Sequence, residues 1–309
     1  MSDIRLRAME QKDRSAVAEL ICNSTNAWYK ARNGPTIFPR GSESCLLFCD
    51  VYEDLDPGCC VIAEDHANGR IAGSCFYHPR ETHVSLGIMN AHPDCFGQGV
   101  ARRLLQFILN IAAGQSKPVR LVSSAMNLDS FSLYTRAGFT PRQAYQDMFV
   151  RVPAAGLTIA HPLSSRVRPA RPEDAAAMAD LEMELNGVRR EKDYRYFTEN
   201  RRGIWHASVL ENPRGTLDGF LVSVNHPASN MLGPGAARGD ADAAALILAE
   251  LNHHAGRSPV FLVPVDRPGL VKQMYDWGAR NCELHFHQVL GAWNPLGGVN
   301  MPTFMPETA

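Results

Sequence analysis

Gly97 and Gly99, one residue apart, stand directly before an apolar-periodic stretch carrying Leu104, Leu105, Ile108 and Leu109. Glycine at such spacing lets successive backbone N–H groups turn outward and lets a ligand approach closely. The positive end of the following helix dipole adds to those donors. The segment therefore predicts a phosphate or pyrophosphate site at a strand-to-helix turn, although a tight turn with no ligand uses the same pattern. His285 and His287 alternate onto one strand face, with Cys282 close by and His253-His254 in the same half. That set could be imagined as zinc ligands, but no second close-spaced pair of zinc pattern accompanies it, and no metal is expected. The eight cysteines include no CxxC pair; Cys45 and Cys49 would share a helix face and Cys59-Cys60 are adjacent. They read as small buried hydrophobes in a reducing compartment.

Around these residues the chain is patterned as an internal repeat. Arg5–Asp13 and Arg166–Asp174 share a plan, an alternating strand followed by a turn and an Asp, with the two aspartates 161 positions apart. Each Asp suits a helix N-cap and is followed by an Ala-rich amphipathic stretch. Residues 61–79 read as a hairpin around Asn68-Gly69, and 208–227 repeat it around Pro213-Arg214-Gly215. In each half a third strand follows (82–91 and 230–236), then a helix (98–114 and 240–256). A buried strand begins at Val119 and at Pro259, a short helix ends at 133–139 and 274–279, and a closing strand completes each copy. The fold class is mixed α/β in two copies. Their boundary falls at 154–165, where Ala, Gly, Pro and Ser gather, giving domains at 1–153 and 165–295 and a tail at 296–309.

Thirty-one Lys+Arg against 32 Asp+Glu give a net charge of -1, so no global field recruits nucleic acid or an anionic membrane. The charged N-terminus and the absence of a ~20-residue apolar run predict an intracellular, cytoplasmic protein.

The order hairpin, strand, glycine turn, helix, strand, Asn, then Leu-Tyr-x-x-x-Gly-Phe resembles the GCN5-related N-acetyltransferase (GNAT) family. The residues that carry the resemblance are Ala91-His92-Pro93, Phe96-Gly97-Gln98-Gly99-Val100-Ala101, Asn127, Leu133-Tyr134 and Gly138-Phe139. It covers about residues 4–151. Phe96 departs from it, standing where the family has Gln or Arg; weakened rather than abolished cofactor binding is expected, since backbone donors carry most of the grip.

The resemblance implies two tandem GNAT-like folds and transfer of acetyl from acetyl-CoA to a primary amine, a small molecule being expected, by direct attack in a ternary complex. Acetyl-CoA, the co-substrate, would place its pyrophosphate over Phe96, Gly97, Gln98, Gly99, Val100 and Ala101, and its pantetheine arm along Met89 and Ala91 as an added strand. Asn127 would hold that arm, cap the following helix, or both. Tyr134 would protonate the departing thiolate, a phenol being a serviceable acid for it. For the base, His83 and Ser85 share one face of the cofactor-facing strand, with Glu64 and Asp94 as weaker alternatives. In the second copy, 231–240 runs from strand to helix without the glycine loop, and Asp240 or Asp242 would repel pyrophosphate. Tyr275 and Gly278 echo Tyr134 and Gly138 with one residue fewer between them, so this copy reads as a degenerate, silent module. Three alternatives remain open: a non-catalytic acyl-CoA-binding regulatory protein, a transferase of another acyl group, or of an aminoacyl group. The chain would be a monomer whose copies form an internal pseudo-dimer, or a homodimer.

Overall fold

In the computed structural model, residues 4–305 are described. The first repeat contains β1 (Ile4–Ala8), α1 (Arg14–Lys30), α2 (Leu46–Leu55), β2 (Cys60–Asp65), β3 (Arg70–Pro79), β4 (Val84–Ala91), α3 (Val100–Gly114), β5 (Val119–Ser124), α4 (Leu128–Arg136) and β6 (Thr140–Phe149). The second contains β7 (Val167–Pro169), α5 (Ala175–Asn186), α6 (Glu191–Glu199), β8 (Trp205–Glu211), β9 (Leu217–His226), β10 (Ser229–Ala237) and α7 (Asp240–His253). It continues with β11 (Val260–Pro264), α8 (Pro268–Asp276), β12 (Arg280–Leu290) and β13 (Val299–Met301). Each expected element has its counterpart, and the 296–309 tail supplies β13.

The chain forms two compact units that cut across the repeat. One holds the chain through Pro79, His83–Val119, and Phe304 with Met305; the other holds Arg80–Thr82 and Arg120–Thr303. In the first unit β1, β2, β3 and β4 form an antiparallel meander. Val17, Leu20 and Ile21 of α1, Leu47, Phe48 and Val51 of α2, and Leu104, Leu105 and Ile108 of α3 are buried. In the second unit the strand order is β5-β12-β6-β11-β10-β9-β8-β7, with β13 on β10. The last strands of the repeats are exchanged: β6 lies between β12 and β11, antiparallel to both. A strand pattern specifies which face is buried and leaves the edge partner open, so the exchange was not legible in the sequence. It explains why residues 120–149 pack with the second repeat.

The duplication extends to side-chain chemistry. Arg7 forks onto Asp13 (Nη1 to Oδ2 2.6 Å, Nη2 to Oδ1 3.0 Å), and Arg168 onto Asp174 (2.8 and 2.9 Å). Arg7 Nε also donates to Glu64 (2.8 Å) and Arg168 Nη2 to Glu211 (2.5 Å). Asp13 accepts the main-chain N–H of Glu10, and Asp174 that of Arg171. Each Asp thus closes a one-turn lead into its helix while holding an arginine from the adjacent strand.

The Arg7 and Arg168 guanidiniums hold Asp13 and Asp174 below the ordinary 3.8 of an aspartate. A depressed carboxylate contributes stability above its unfolded pKa and loses it as pH falls through the folded one. Asp13→Asn is therefore expected to cost about 1–3 kcal/mol in urea denaturation at pH 7, and the gap to wild type should shrink below pH 3.8. Asp174→Asn should behave alike. Equal stability of variant and wild type at pH 7 would contradict the pairing.

Candidate active site

β4 ends where the His92 N–H donates to Ala72 O at 2.8 Å. Pro93–Cys95 form one tight turn; the Phe96 N–H then bonds Pro93 O and the Gln98 N–H bonds Cys95 O, both at 3.2 Å. Gly97 and Gly99 take φ of +76° and +81°. A Cβ on Gly97 would meet nothing within 4 Å, so glycine is required there for its dihedral rather than for space. Gly99 is the N-cap of α3 and offers no side-chain cap, and the first turn holds no acidic residue. The first-turn amides of Val100, Ala101 and Arg102 have no carbonyl four residues earlier inside the helix. Donors without an acidic competitor at a positive dipole end suit an anion. Gln98 Nε2 braces the bend on Asp94 O (2.9 Å). Arg70 takes the Asp94 carboxylate (3.0 Å). Phe96, 55% exposed, presents an apolar ring to solvent.

The register of β3 and β4 orients the strand before the turn. Ala91 faces Gly73 and Met89 faces Cys75, while the His92 rung shows that Ala72 and His92 form a hydrogen-bonded pair. Alternation then turns the main-chain groups of Met89 and Ala91 away from β3. Between Cys75↔Met89 and Tyr77↔Leu86 the register slips: Gly87 and Ile88 oppose Phe76 alone. This is a β-bulge, which bends a strand and re-aims its groups. His83 and Ser85 are both fully enclosed. Ser85 lies across from His78, whose Nδ1 is 2.5 Å from Asp56 Oδ2 and whose ring stacks on Tyr52 at 4.8 Å. Sequence reading missed this Asp56–His78 pair because its members are 22 residues apart; its visible signal was a histidine on the buried face of the hairpin. Glu64, an alternative base, is held by Arg7.

In the second unit Asn127 caps α4, its side-chain oxygen accepting from the Ser130 N–H at 3.0 Å. Tyr134 is buried on α4 beside Phe139, ring centroids 5.8 Å apart. The helix closes with the Phe139 N–H on Tyr134 O (3.1 Å) and Gly138 at φ +96°. In α8 the Ala279 N–H bonds Met274 O (2.9 Å), with Gly278 at φ +87°. The second repeat thus places Met274 where the first has Tyr134. Tyr275 is the next residue round, half exposed and bonded to Gln146, so the sequence echo between Tyr134 and Tyr275 is one position out of step.

Two further features separate the copies. Gly239 before α7 is extended (φ -146°), and Asp240 and Asp242 occupy the first turn. β10 keeps a bulge, Gly233 and Pro234 opposite Val222, but proline has no N–H to offer. Beyond it β13 pairs with β10, Ala237 facing Val299 and Gly235 facing Met301. The tail strand therefore takes the β10 edge.

For a metal, Asp147, Glu283 and His285 bring one ligand atom each within 4.8 Å of one another. His285 Nδ1 is already engaged by Asp147 at 2.9 Å, and burial raises the Asp147 carboxyl. His287, His253 and His254 are not part of this group. Burial pushes the Cys45 and Cys49 thiols up to about 12, away from reactivity.

The chain carries one mixed α/β plan in duplicate. Residues 25–139 match the sequence model of the Acetyltransferase (GNAT) family. Over 72 residues the chain is 33% identical to the UPF0157 protein YqkA of Bacillus subtilis (strain 168), covering 23% of this chain and 21% of that protein. It thus spans about a fifth of the length of that curated relative. A candidate acetyltransferase of Pyrococcus horikoshii is similar over 99% of this chain and 96% of its own, at 14% identity and TM-score 0.77. A GCN5-related N-acetyltransferase of Sphaerobacter thermophilus matches over 93% and 95%, at 17% and 0.63. A tandem GNAT protein from the clavulanic acid biosynthesis pathway matches over 94% and 100%, at 12% and 0.63. These structures establish the fold. Residues 25–139 thus carry the sequence pattern of the GNAT family, and GNAT-like folds run in tandem along the chain.

Because Gly99 sits at φ +81°, Gly99→Ala is expected to lower stability by about 1–2 kcal/mol in urea denaturation. An unchanged midpoint would show that the turn relaxes to negative φ and that the glycine is not needed for its dihedral.

Proposed function

We propose that the protein moves the acetyl group of acetyl-CoA to a primary amine in a ternary complex, using the first repeat. The observation that carries this reading is the start of α3: two positive-φ glycines, no side-chain cap and no acid in the first turn. In this reading the 96–101 bend takes the pyrophosphate of acetyl-CoA. The outward main-chain groups of Met89 and Ala91 hold the pantetheine arm as a strand would, and the free amide hydrogens of Asn127 add a contact to it. The tail strand lying along β10 of the second copy supports the reading, since it is itself a strand-like addition to the corresponding edge.

The amine nitrogen attacks the thioester carbonyl, the C–S bond breaks, and Tyr134 gives the thiolate its proton. The amine's proton leaves to His83, which lies just before β4 rather than on it, with Ser85 on the strand. Both are enclosed, so that transfer runs through the protein interior rather than open solvent. The second repeat, with Met274, Pro234 and Asp240 at the matching positions, is a catalytically silent partner. An acyl-CoA binder without turnover is the second reading, favoured by the exposed Phe96 ring at the bend.

Calorimetry with acetyl-CoA and a thiol-release assay separate these readings. Wild type is expected to bind acetyl-CoA and turn over. Tyr134→Phe should bind it within about threefold of wild type while kcat falls about 100-fold. No binding would sink both readings; binding with Tyr134→Phe as active as wild type would remove the acid assignment.

A further inference from the structure

Arg120, on β5 in the second unit, has only 6% of its surface exposed. Among the described residues no carboxylate lies within ion-pair distance of it. Its Nη1 donates to the main-chain oxygen of Asn186, the last residue of α5, at 3.2 Å. The Trp293 ring lies 5.4 Å from its guanidinium carbon. Its Nε has no hydrogen-bond partner. Glu182, whose charge reaches it through space, is committed to Arg190 and Tyr194.

Two neighbours share the condition. Asn186, 4% exposed, leaves both side-chain atoms without a partner. His287, 1% exposed on the adjacent strand β12, leaves both ring nitrogens so, and meets the edge of the same Trp293 ring at 4.9 Å. Native interiors leave few polar groups unmet, and a buried cation without a counter-charge is among the least favourable. Here five unmet polar atoms fall on three adjoining side chains around one guanidinium.

We propose that Arg120, Asn186 and His287 form a buried site for a single carboxylate, that of an amino acid. This site stands apart from the amine-acetylation reading. Arg120 Nε and Nη2 form the edge that meets two carboxylate oxygens in parallel, and Asn186 Nδ2 supplies a third donor. Asn186 Oδ1 and the unprotonated nitrogen of His287 can accept from N–H groups of the same ligand. Burial and the Arg120 charge push the His287 imidazole down to about 3, so it is neutral and the site carries one positive charge. One carboxylate balances that charge; a phosphate dianion leaves one in excess in a dry interior.

The test is titration of the full chain with the twenty L-amino acids and the carboxamide of each binder, with and without CoA, read by heat and by tryptophan fluorescence. At least one amino acid is expected to bind, its carboxamide about 100-fold more weakly, and inorganic phosphate should not compete. Arg120→Gln should lose the same factor, and Trp293→Phe should abolish the fluorescence change while the heat remains. Should Arg120→Gln not fold, Arg120→Lys and Asn186→Ala, checked by circular dichroism, are expected to show a loss of about tenfold or more. The proposal is overturned if no amino acid binds, if carboxamide or phosphate binds as well as the acid, or if the folded variants bind as wild type does.

Discussion

Main-chain amides at the start of a helix cannot be satisfied from within it, and at α3 the sequence supplies nothing else to satisfy them. Gly99 has no side chain to cap with, and the first turn carries no carboxylate. Asp94, the nearest acid before the turn, is drawn off by Arg70. Acidic side chains stand near three other helix starts. Asp13 and Asp174 close the leads into α1 and α5, and Asp240 and Asp242 sit in the first turn of α7. What sets α3 apart is the pair of left-handed glycines that leads into it.

Duplication followed by divergence accounts for the contrast between the copies. The parts that hold the fold are retained in chemical detail: the Arg–Asp fork, the strand-borne Glu beside it, the left-handed glycine after α4 and after α8, and the bulge in the third strand. On the proposed reading, the parts that would meet a ligand are replaced in the second copy. Proline removes a donor at the bulge, Met274 removes the phenol, and β13 lies along the edge a ligand would use. Exchange of β6 and β12 keeps the second copy indispensable, because the final strand of the first repeat finds both of its neighbours there. Losing β11 or β12 would strip β6 of its ladder.

Much of this was legible in the sequence because it depends on local pattern. Alternation and Asn-Gly turns located the hairpins, and the glycine pair located the bend. The repeat offset located the capping aspartates. What escaped depends on contacts distant in the chain. Nothing in an alternating strand such as 140–149 says which edges it will pair with. Tyr275 resembled the counterpart of Tyr134 by residue type, and only the hydrogen bond closing each helix shows that Met274 holds that place. Asp56 meets His78, and Arg120 lies beside Asn186 and His287, across separations that carry no period. A charged residue inside the apolar run Val119–Val122 was the one visible sign of the last group.

Hydrogen–deuterium exchange of the amides from Gly97 to Arg102, followed on addition of CoA, addresses the central claim at the atoms that carry it. Strong slowing confined to this bend and to the 89–91 strand end is the predicted result. Unchanged exchange at Gly97–Arg102, with CoA bound and protection appearing elsewhere, would contradict the account.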